Sequence, residues 1–261
     1  MIKRIDNLDD TGIVLRDSHY SRVILSHMAA YGSEYDFCEF YELRHRNRRI
    51  GIISSFNSSL AADLLDVRSV CGTCIREMNE FISFKSPAFA EMPRELMPKA
   101  ALRGYRRVKR RFYEVTPADS SDGLNINPDP EYVYKTAMGD GKSDYGLWLT
   151  DTMRRINRGI SGLYSYESSV LTVRFHSGGM AYISDVATPV CDRGKGYARE
   201  LLGRTAKLLL TQGYRAYLCA GEEVQPYYEK LGYKLIAEDF ACMKKEDNSQ
   251  INFKHKHKVK A

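Results

Sequence analysis

The sequence predicts an α/β fold with a mixed sheet, built as two similar halves. Residues 116–130 contain three prolines, a glycine and many Asp, Asn and Ser residues, which predicts a linker between the halves. After it, the apolar pattern predicts a helix, an antiparallel meander and then the order β-α-β-α-β. Residues 102–108 resemble residues 230–236 at an offset of 128 positions, which indicates an internal duplication.

Composition limits the classes of protein to which the chain can belong. It has 261 residues, of which 43% are hydrophobic, so there is enough apolar material for two packed cores. No segment approaches the roughly 18 apolar residues of a membrane span, so we expect a cytoplasmic protein with no membrane partner. The net charge is +6, and four lysines of a basic tail, residues 247–261, supply much of it. We expect this tail to be disordered.

The elements of the second half follow from periodicity and from its glycines. A helix begins after Asp144 and ends at Gly159, with an apolar face of Leu147, Trp148, Met153 and Ile156. A second, longer helix runs from Gly196 to Gly213, and a short one covers residues 224–231. Strands are predicted at residues 131–135, 162–166, 170–175, 180–187, 215–220 and 233–236, with a hairpin turn at 177–179. One more strand, at residues 111–115, is predicted just before the linker.

The first half gives a weaker pattern of the same kind. Residues 35–44 and 50–56 predict a hairpin, and residues 69–84 predict a helix. At the offset of 128, the glycine-containing segment 193–198 of the second half corresponds to residues 65–70, which contain no glycine. If the halves are duplicates, the first half has lost the glycine-containing turn.

Residues 193–198 are predicted to form a strand-to-helix turn that can bind an anion. The first amides of a helix lack intrahelical partners and lie at its positive end, and two glycines let an anion approach the backbone closely. Arg199 stands where a dinucleotide motif needs its third glycine, and there is no GKS or GKT, so neither common nucleotide motif fits. The predicted cofactor-binding residues are Val186, Ala187, Thr188, Arg193, Gly194, Lys195, Gly196, Tyr197 and Ala198, of which residues 193–198 form the phosphate-binding loop.

Two segments of the second half resemble the GNAT superfamily of N-acetyltransferases. Residues 193–198 match its Arg/Gln-x-x-Gly-x-Gly/Ala signature, and residues 227–233 match its Tyr-Glu-Lys-x-Gly-Phe segment. The resemblance implies tandem GNAT-like domains: a degenerate one at residues 1–120 and a catalytic one, with an intact acyl-CoA loop, at residues 126–246. Coenzyme A would lie between strands 180–187 and 215–220. Gly221 departs from the family, which often has an asparagine there.

The resemblance also implies direct acetyl transfer from acetyl-CoA to a primary amine. Backbone N–H groups near residues 186–188 would stabilise the oxyanion, and Tyr228 would act as the general acid. The base stays open among Asp185, Tyr182, Glu222 and Glu223, or a chain of water molecules. The alternative is a non-catalytic GNAT-fold protein that senses acyl-CoA or binds RNA or protein. Neither the amine acceptor nor the oligomeric state can be chosen from the sequence.

Two further groups of residues are expected to be structural. Cys71 and Cys74 form a lone CxxC, so the sequence predicts buried thiols and no metal site. Arginines and lysines concentrate at residues 103–111 and 44–49, but their alternation with apolar side chains favours a solvated strand face over a nucleic-acid site.

Overall fold

The computed structural model describes residues 1–8, 16–97, 102–139 and 144–245, so the predicted tail at 247–261 lies outside them. The chain divides into two compact units. The first comprises Met1–Lys109 and resumes at Asp239, and the second is Arg110–Glu238. Within the described ranges, no helix combines the length and the apolar character that crossing a membrane requires.

The first unit is a sheet with two helices. Its strands follow the order β1-β2-β3-β4-β5 and continue into the last residues of β11. Arg46 and Asn47 both have positive φ, at 46° and 62°, as a two-residue hairpin turn requires, which confirms the predicted hairpin. The elements are β1 (Ile2–Ile5), α1 (His19–Tyr31), β2 (Cys38–His45), β3 (Arg48–Phe56), β4 (Ser59–Leu64), α2 (Gly72–Lys85), β5 (Phe89–Glu91) and β11 (Lys234–Lys244).

Helix α2 closes the core of the first unit and links two parallel strands, β4 and β5. Cys74, Met78 and Ile82 recur every four residues, lie on one helix face and are buried. They pack with strand residues such as Leu43 and Leu64 in one apolar cluster. This β-α-β segment therefore repeats the order predicted for the second half.

The second unit contains the predicted meander and the helices that follow it. Its strand order is β6-β10-β9-β8-β7, in which β9 and β10 are parallel and the other pairs are antiparallel. Leu201, Leu202 and Leu209 of the long helix are buried in the main apolar cluster. The elements are β6 (Tyr105–Glu114), α3 (Pro130–Met138), α4 (Tyr145–Asn157), β7 (Gly162–Tyr166), β8 (Ser169–Ser177), β9 (Met180–Ala187), α5 (Tyr197–Thr211), β10 (Arg215–Gly221) and α6 (Gln225–Lys230).

Two predictions about the helices of this unit are wrong. Residues 131–135 form helix α3 rather than a strand, because the Asp129 side chain accepts a hydrogen bond from the Glu131 N–H and Pro130 occupies the first turn. Asp144 does cap α4, yet Leu147, expected on its apolar face, is 72% exposed.

Residues 116–130 are part of the second unit. The Ala118 N–H donates to the Gly203 carbonyl over 2.9 Å, and Asn125 forms a β-bridge with Ser165. A Cβ on Gly203 would lie only 3.2 Å from the Ala118 Cβ, so the glycine permits this close approach. The turn-forming residues of this stretch therefore mark irregular packed backbone and not a free linker.

Strands β6 and β11 each have residues in both units. In the first unit, residues 241–243 of β11 pair with residues 89–91 of β5. In the second, residues 110–114 of β6 pair with residues 217–221 of β10. The boundaries 1–120 and 126–246 remain a prediction.

Candidate active site

Strands β9 and β10 stay together for only part of their length. Their parallel register runs from Met180 opposite Arg215 to Ile183 opposite Leu218. Beyond this point β9 pairs with β8 as far as Ala187, while β10 pairs with β6. The two carboxyl ends thus follow different neighbours, as expected where a ligand enters between parallel strands.

The turn between β9 and α5 depends on its two glycines. Gly194 and Gly196 have φ of 80° and 83°, a region that L-residues with a side chain rarely adopt. A Cβ at either position would meet nothing within 4 Å, so the space beside the turn is open. The Glu200 N–H donates to the Gly196 carbonyl as the first bond of α5. The earlier amides of the helix therefore lack partners within it and are free to bind an anion.

The charged side chains of the turn are partly engaged with one another. The Arg193 Nε donates to the Thr188 carbonyl over 3.2 Å, which braces the turn. The Lys195 Nζ lies 2.6 Å from an Asp192 carboxylate oxygen. The ammonium holds the pKa of Asp192 below its usual value, and the carboxylate raises the pKa of Lys195. Asp192 thus offsets part of the positive charge that the sequence places here.

The last residues of β9 carry the other predicted contacts. Val186 packs against the main core of the unit and Ala187 against the cluster that includes Val133, so both are half-buried. The hydroxyl groups of Thr188 and Ser169 lie 2.7 Å apart. At the start of α5, the Tyr197 ring contacts the Lys195 ammonium. The predicted residues therefore form two short groups, at the end of β9 and at the start of α5, separated by residues 189–192.

Tyr228 is buried on α6, with 4% of its surface exposed. Its ring stacks on Tyr233, with centroids 6.1 Å apart, and lies edge-on to Tyr227. Among the described residues, its hydroxyl has no hydrogen-bond partner, so it remains available to a ligand. Burial raises the pKa of Tyr228, which keeps the phenol protonated at neutral pH.

A contact that the sequence did not reveal holds α6 in place. Glu229, the neighbour of Tyr228, accepts hydrogen bonds from the Arg111 guanidinium at 2.8 Å and from the Tyr113 hydroxyl at 3.0 Å. Both donors come from β6, which pairs with β10. Because Arg111 and Tyr113 are more than 100 positions away, only the strand pairing brings them together. In the sequence, the one sign of this contact is that Arg111 and Tyr113 are two residues apart, so their side chains lie on the same face of the strand.

The predicted base candidates lie in different settings. Asp185 is half-buried with a positive φ of 54°, in a stretch where the β8–β9 register shifts, and it accepts a hydrogen bond from Ser184. Glu222 is exposed just after β10. Glu223 is exposed beside it. Tyr182 packs against Phe175 and other aromatic rings of the sheet. Of these, Asp185 and Tyr182 lie on the predicted cofactor strand, and of the two only Asp185 is a carboxylate.

The basic clusters are partly neutralised within the chain. Arg44 and Arg49 both form ion pairs with Glu42, which is buried. Arg111 pairs with Glu229 and Glu238. Part of the positive charge of both clusters is therefore balanced by carboxylates of the same chain.

The sequence matches no protein-family model and no curated protein. The structure does resemble solved acetyltransferases. A GCN5-related N-acetyltransferase from Sphaerobacter thermophilus aligns with a TM-score of 0.54 and 16% identity over 78% of this chain and 80% of its own. A GNAT-family acetyltransferase from Colwellia psychrerythraea aligns at 0.53 and 13%, over 94% and 100% of the two chains.

A tandem GNAT protein from the clavulanic acid biosynthesis pathway aligns with a TM-score of 0.53 and 11% identity, over 93% of this chain and 97% of its own. Coverage of this extent includes both compact units. At these identities the likeness concerns the fold. The chain therefore shares its fold with these solved acetyltransferases, including the tandem GNAT protein.

Proposed function

We propose that this protein is an N-acetyltransferase that moves an acetyl group from acetyl-CoA directly to a primary amine. The observation that carries the proposal is the glycine turn between β9 and α5, which opens a helix N-terminus where β9 and β10 separate. On the GNAT fold this is a place for a pyrophosphate.

The turn fits the cofactor that the fold implies. The unpaired amides at the start of α5 and the open space beside Gly194 and Gly196 suit a pyrophosphate, and Arg193 and Lys195 add positive charge. The backbone of residues 186–188 would hold the arm that carries the thioester. Acetyl-CoA supplies the activated acetyl group.

Residues of this chain would donate and accept the protons of the reaction. Tyr228 is the proposed general acid, because its phenol stays protonated and its hydroxyl has no partner among the described residues. Backbone N–H groups near Val186 and Thr188 are the proposed oxyanion donors. Asp185, on the strand that precedes the turn, is the first candidate for the base, and Glu222 is the second.

Two measurements test the proposal. Calorimetry with the full chain should show saturable binding of acetyl-CoA. A thiol-release assay across amino acids, polyamines, aminoglycosides and peptides should then find an accepted amine. Absence of coenzyme A binding would refute the proposal. Binding of acetyl-CoA with no transfer to any amine would instead favour an acyl-CoA sensor, the non-catalytic alternative.

A further inference from the structure

Three potential metal ligands meet in the first unit. His45 ends strand β2, Cys71 caps helix α2, and Cys74 lies in its first turn. The two sulfur atoms are 3.5 Å apart, and the Cys71 Sγ lies 3.7 Å from the His45 Nδ1. All three donor atoms lie within 4.8 Å of one another. The sequence predicts a lone CxxC, and the structure adds His45 to these two cysteines.

The backbone fixes this arrangement from two sides. Cys71 and Cys74 are three residues apart at the start of α2, so their side chains share a helix face. His45 pairs with Arg48 across the tight turn of the β2–β3 hairpin. His45 and Cys74 therefore come from regular elements, which hold donor atoms more accurately than loops do, and Cys71 is the N-cap residue directly before α2.

We propose that His45, Cys71 and Cys74 bind one Zn²⁺ ion, with a fourth coordination position open. Zinc–sulfur bonds of about 2.3 Å and zinc–nitrogen bonds of about 2.0 Å, at tetrahedral angles, place two sulfurs about 3.8 Å apart and a sulfur and a nitrogen about 3.5 Å apart. The observed 3.5 and 3.7 Å are within a few tenths of an ångström of these separations. Thiolate and imidazole ligands suit zinc, whereas Ca²⁺ and Mg²⁺ prefer oxygen.

The charges around the site are consistent with a cation. Two cysteine thiolates would bring two negative charges to the N-terminus of α2, where the helix dipole favours anions. Glu77, one turn further along α2, is bound to the Met1 ammonium. Among the described residues, the cluster contains three protein ligands. Three protein ligands leave a position for water or another small ligand, as in catalytic zinc sites.

The place of the site in the fold supports a distinct role for it. It lies at the turn from β4 to α2, and this turn precedes a parallel strand, as the β9–α5 turn does. At the N-cap of the helix that follows, the first half has Cys71 where the second half has Gly196. The zinc proposal does not depend on the proposed acetyl transfer.

Metal analysis of the full chain tests the site. Protein purified without chelator and with a reductant should contain one zinc per chain. Cobalt substitution should give the thiolate-to-Co²⁺ charge-transfer absorption band. His45→Gln should weaken zinc binding more than about 100-fold, beyond the 10- to 100-fold typical of outer-shell partners. Cys74→Ser should weaken zinc binding to the same extent. Because Cys74 is buried, its substitution can also disturb folding, so His45→Gln is the variant that distinguishes loss of a ligand from misfolding.

Two controls make the result specific. Cys191→Ser removes an exposed thiol of the second unit and should leave zinc binding unchanged. The double change His255→Gln and His257→Gln removes the histidines of the tail and should also leave it unchanged. Zinc binding lost in the tail variant but kept in His45→Gln would overturn the proposal. So would a reduced protein with six free thiols and no bound zinc, or a purified protein in which Cys71 and Cys74 form a disulfide.

Discussion

A single hydroxyl group separates Tyr228 from phenylalanine, and the proposed proton donation depends on that group. Tyr228→Phe keeps the buried ring and its stacking on Tyr233. We expect the turnover number to fall roughly 10²- to 10⁴-fold, as for loss of a general acid, with acetyl-CoA affinity retained. Since burial raises the pKa of Tyr228, the wild-type rate should not decline through ionisation of this phenol below about pH 10.

Tyr227→Phe is the matched control, because it removes a hydroxyl from the adjacent half-buried tyrosine of the same helix. Thiol-release kinetics and calorimetry on both variants separate the rate from binding. Equal turnover of Tyr228→Phe and the wild type would remove Tyr228 from the role of acid.

Gly196 and Gly213 allow the backbone effect of a glycine to be separated from its effect on binding. They flank α5, have φ of 83° and 86°, and have open space at the Cβ position. Alanine at either site should cost about 1–2 kcal/mol of folding stability, since φ is left-handed. Only Gly196→Ala should also weaken acetyl-CoA binding, by about tenfold or more, because its Cβ would point into the proposed cradle.

Urea unfolding and calorimetry on both alanine variants measure the two effects. Equal acetyl-CoA affinity in the two variants would contradict the placement of the pyrophosphate at this turn. Gly196 and Tyr228 could be selected from the sequence because each belongs to a motif with fixed local spacing. The grouping of His45 with Cys71 could not, because the two are 26 positions apart and meet only through tertiary packing.

At the level of single elements, helix α3 shows where local patterns fail. A run of five residues with Tyr, Val and Tyr has the composition of a strand, but such short apolar runs are ambiguous between strand and helix. The start signals, Asp129 followed by Pro130, decide for the helix, and the ion pair between Glu131 and Lys135 adds to it. By contrast, β7 and β9 were predicted with their observed bounds because sharp turns delimit them.

The cap of α3 gives an element-scale test. Asp129→Ala removes the side-chain acceptor for the Glu131 N–H, so the free energy of unfolding should fall by about 1 kcal/mol. Asp119→Ala, at an exposed aspartate in the preceding stretch, should change it by less than about 0.5 kcal/mol. Urea denaturation curves of the two variants provide the comparison. A loss for Asp129→Ala no larger than that of the control would argue against a stabilising cap.

For the whole molecule, the second unit extends further towards the N-terminus than the linker-like composition suggests. Strand β6 pairs with β10 and contributes Tyr113 to the main apolar cluster, with Val115 just after it. A fragment of residues 126–245 lacks both residues and exposes the edge of β10. We expect it to aggregate or to unfold without a cooperative transition. A fragment of residues 104–245, which retains β6, should keep more native signal in circular dichroism.

A compact, monomeric 126–245 fragment with a sharp melting transition would contradict this expectation. The tandem organisation could be predicted because residues 102–108 resemble residues 230–236 and two motifs of the second half resemble those of the GNAT superfamily. The pairing of β5 with β11 could not, since non-local strand pairing depends on the assembled sheet and not on any local pattern.

The position of β11 has a consequence for synthesis. Residues 89–91 of the first unit cannot form their pairing with residues 241–243 until the ribosome has synthesised those residues. At about 5–20 residues per second, the ribosome needs roughly 8–30 s to make the intervening chain. Throughout this interval one edge of the nascent first sheet is unpaired and open to chaperones or to neighbouring nascent chains. The half of the protein that is translated first is thus the half that is completed last.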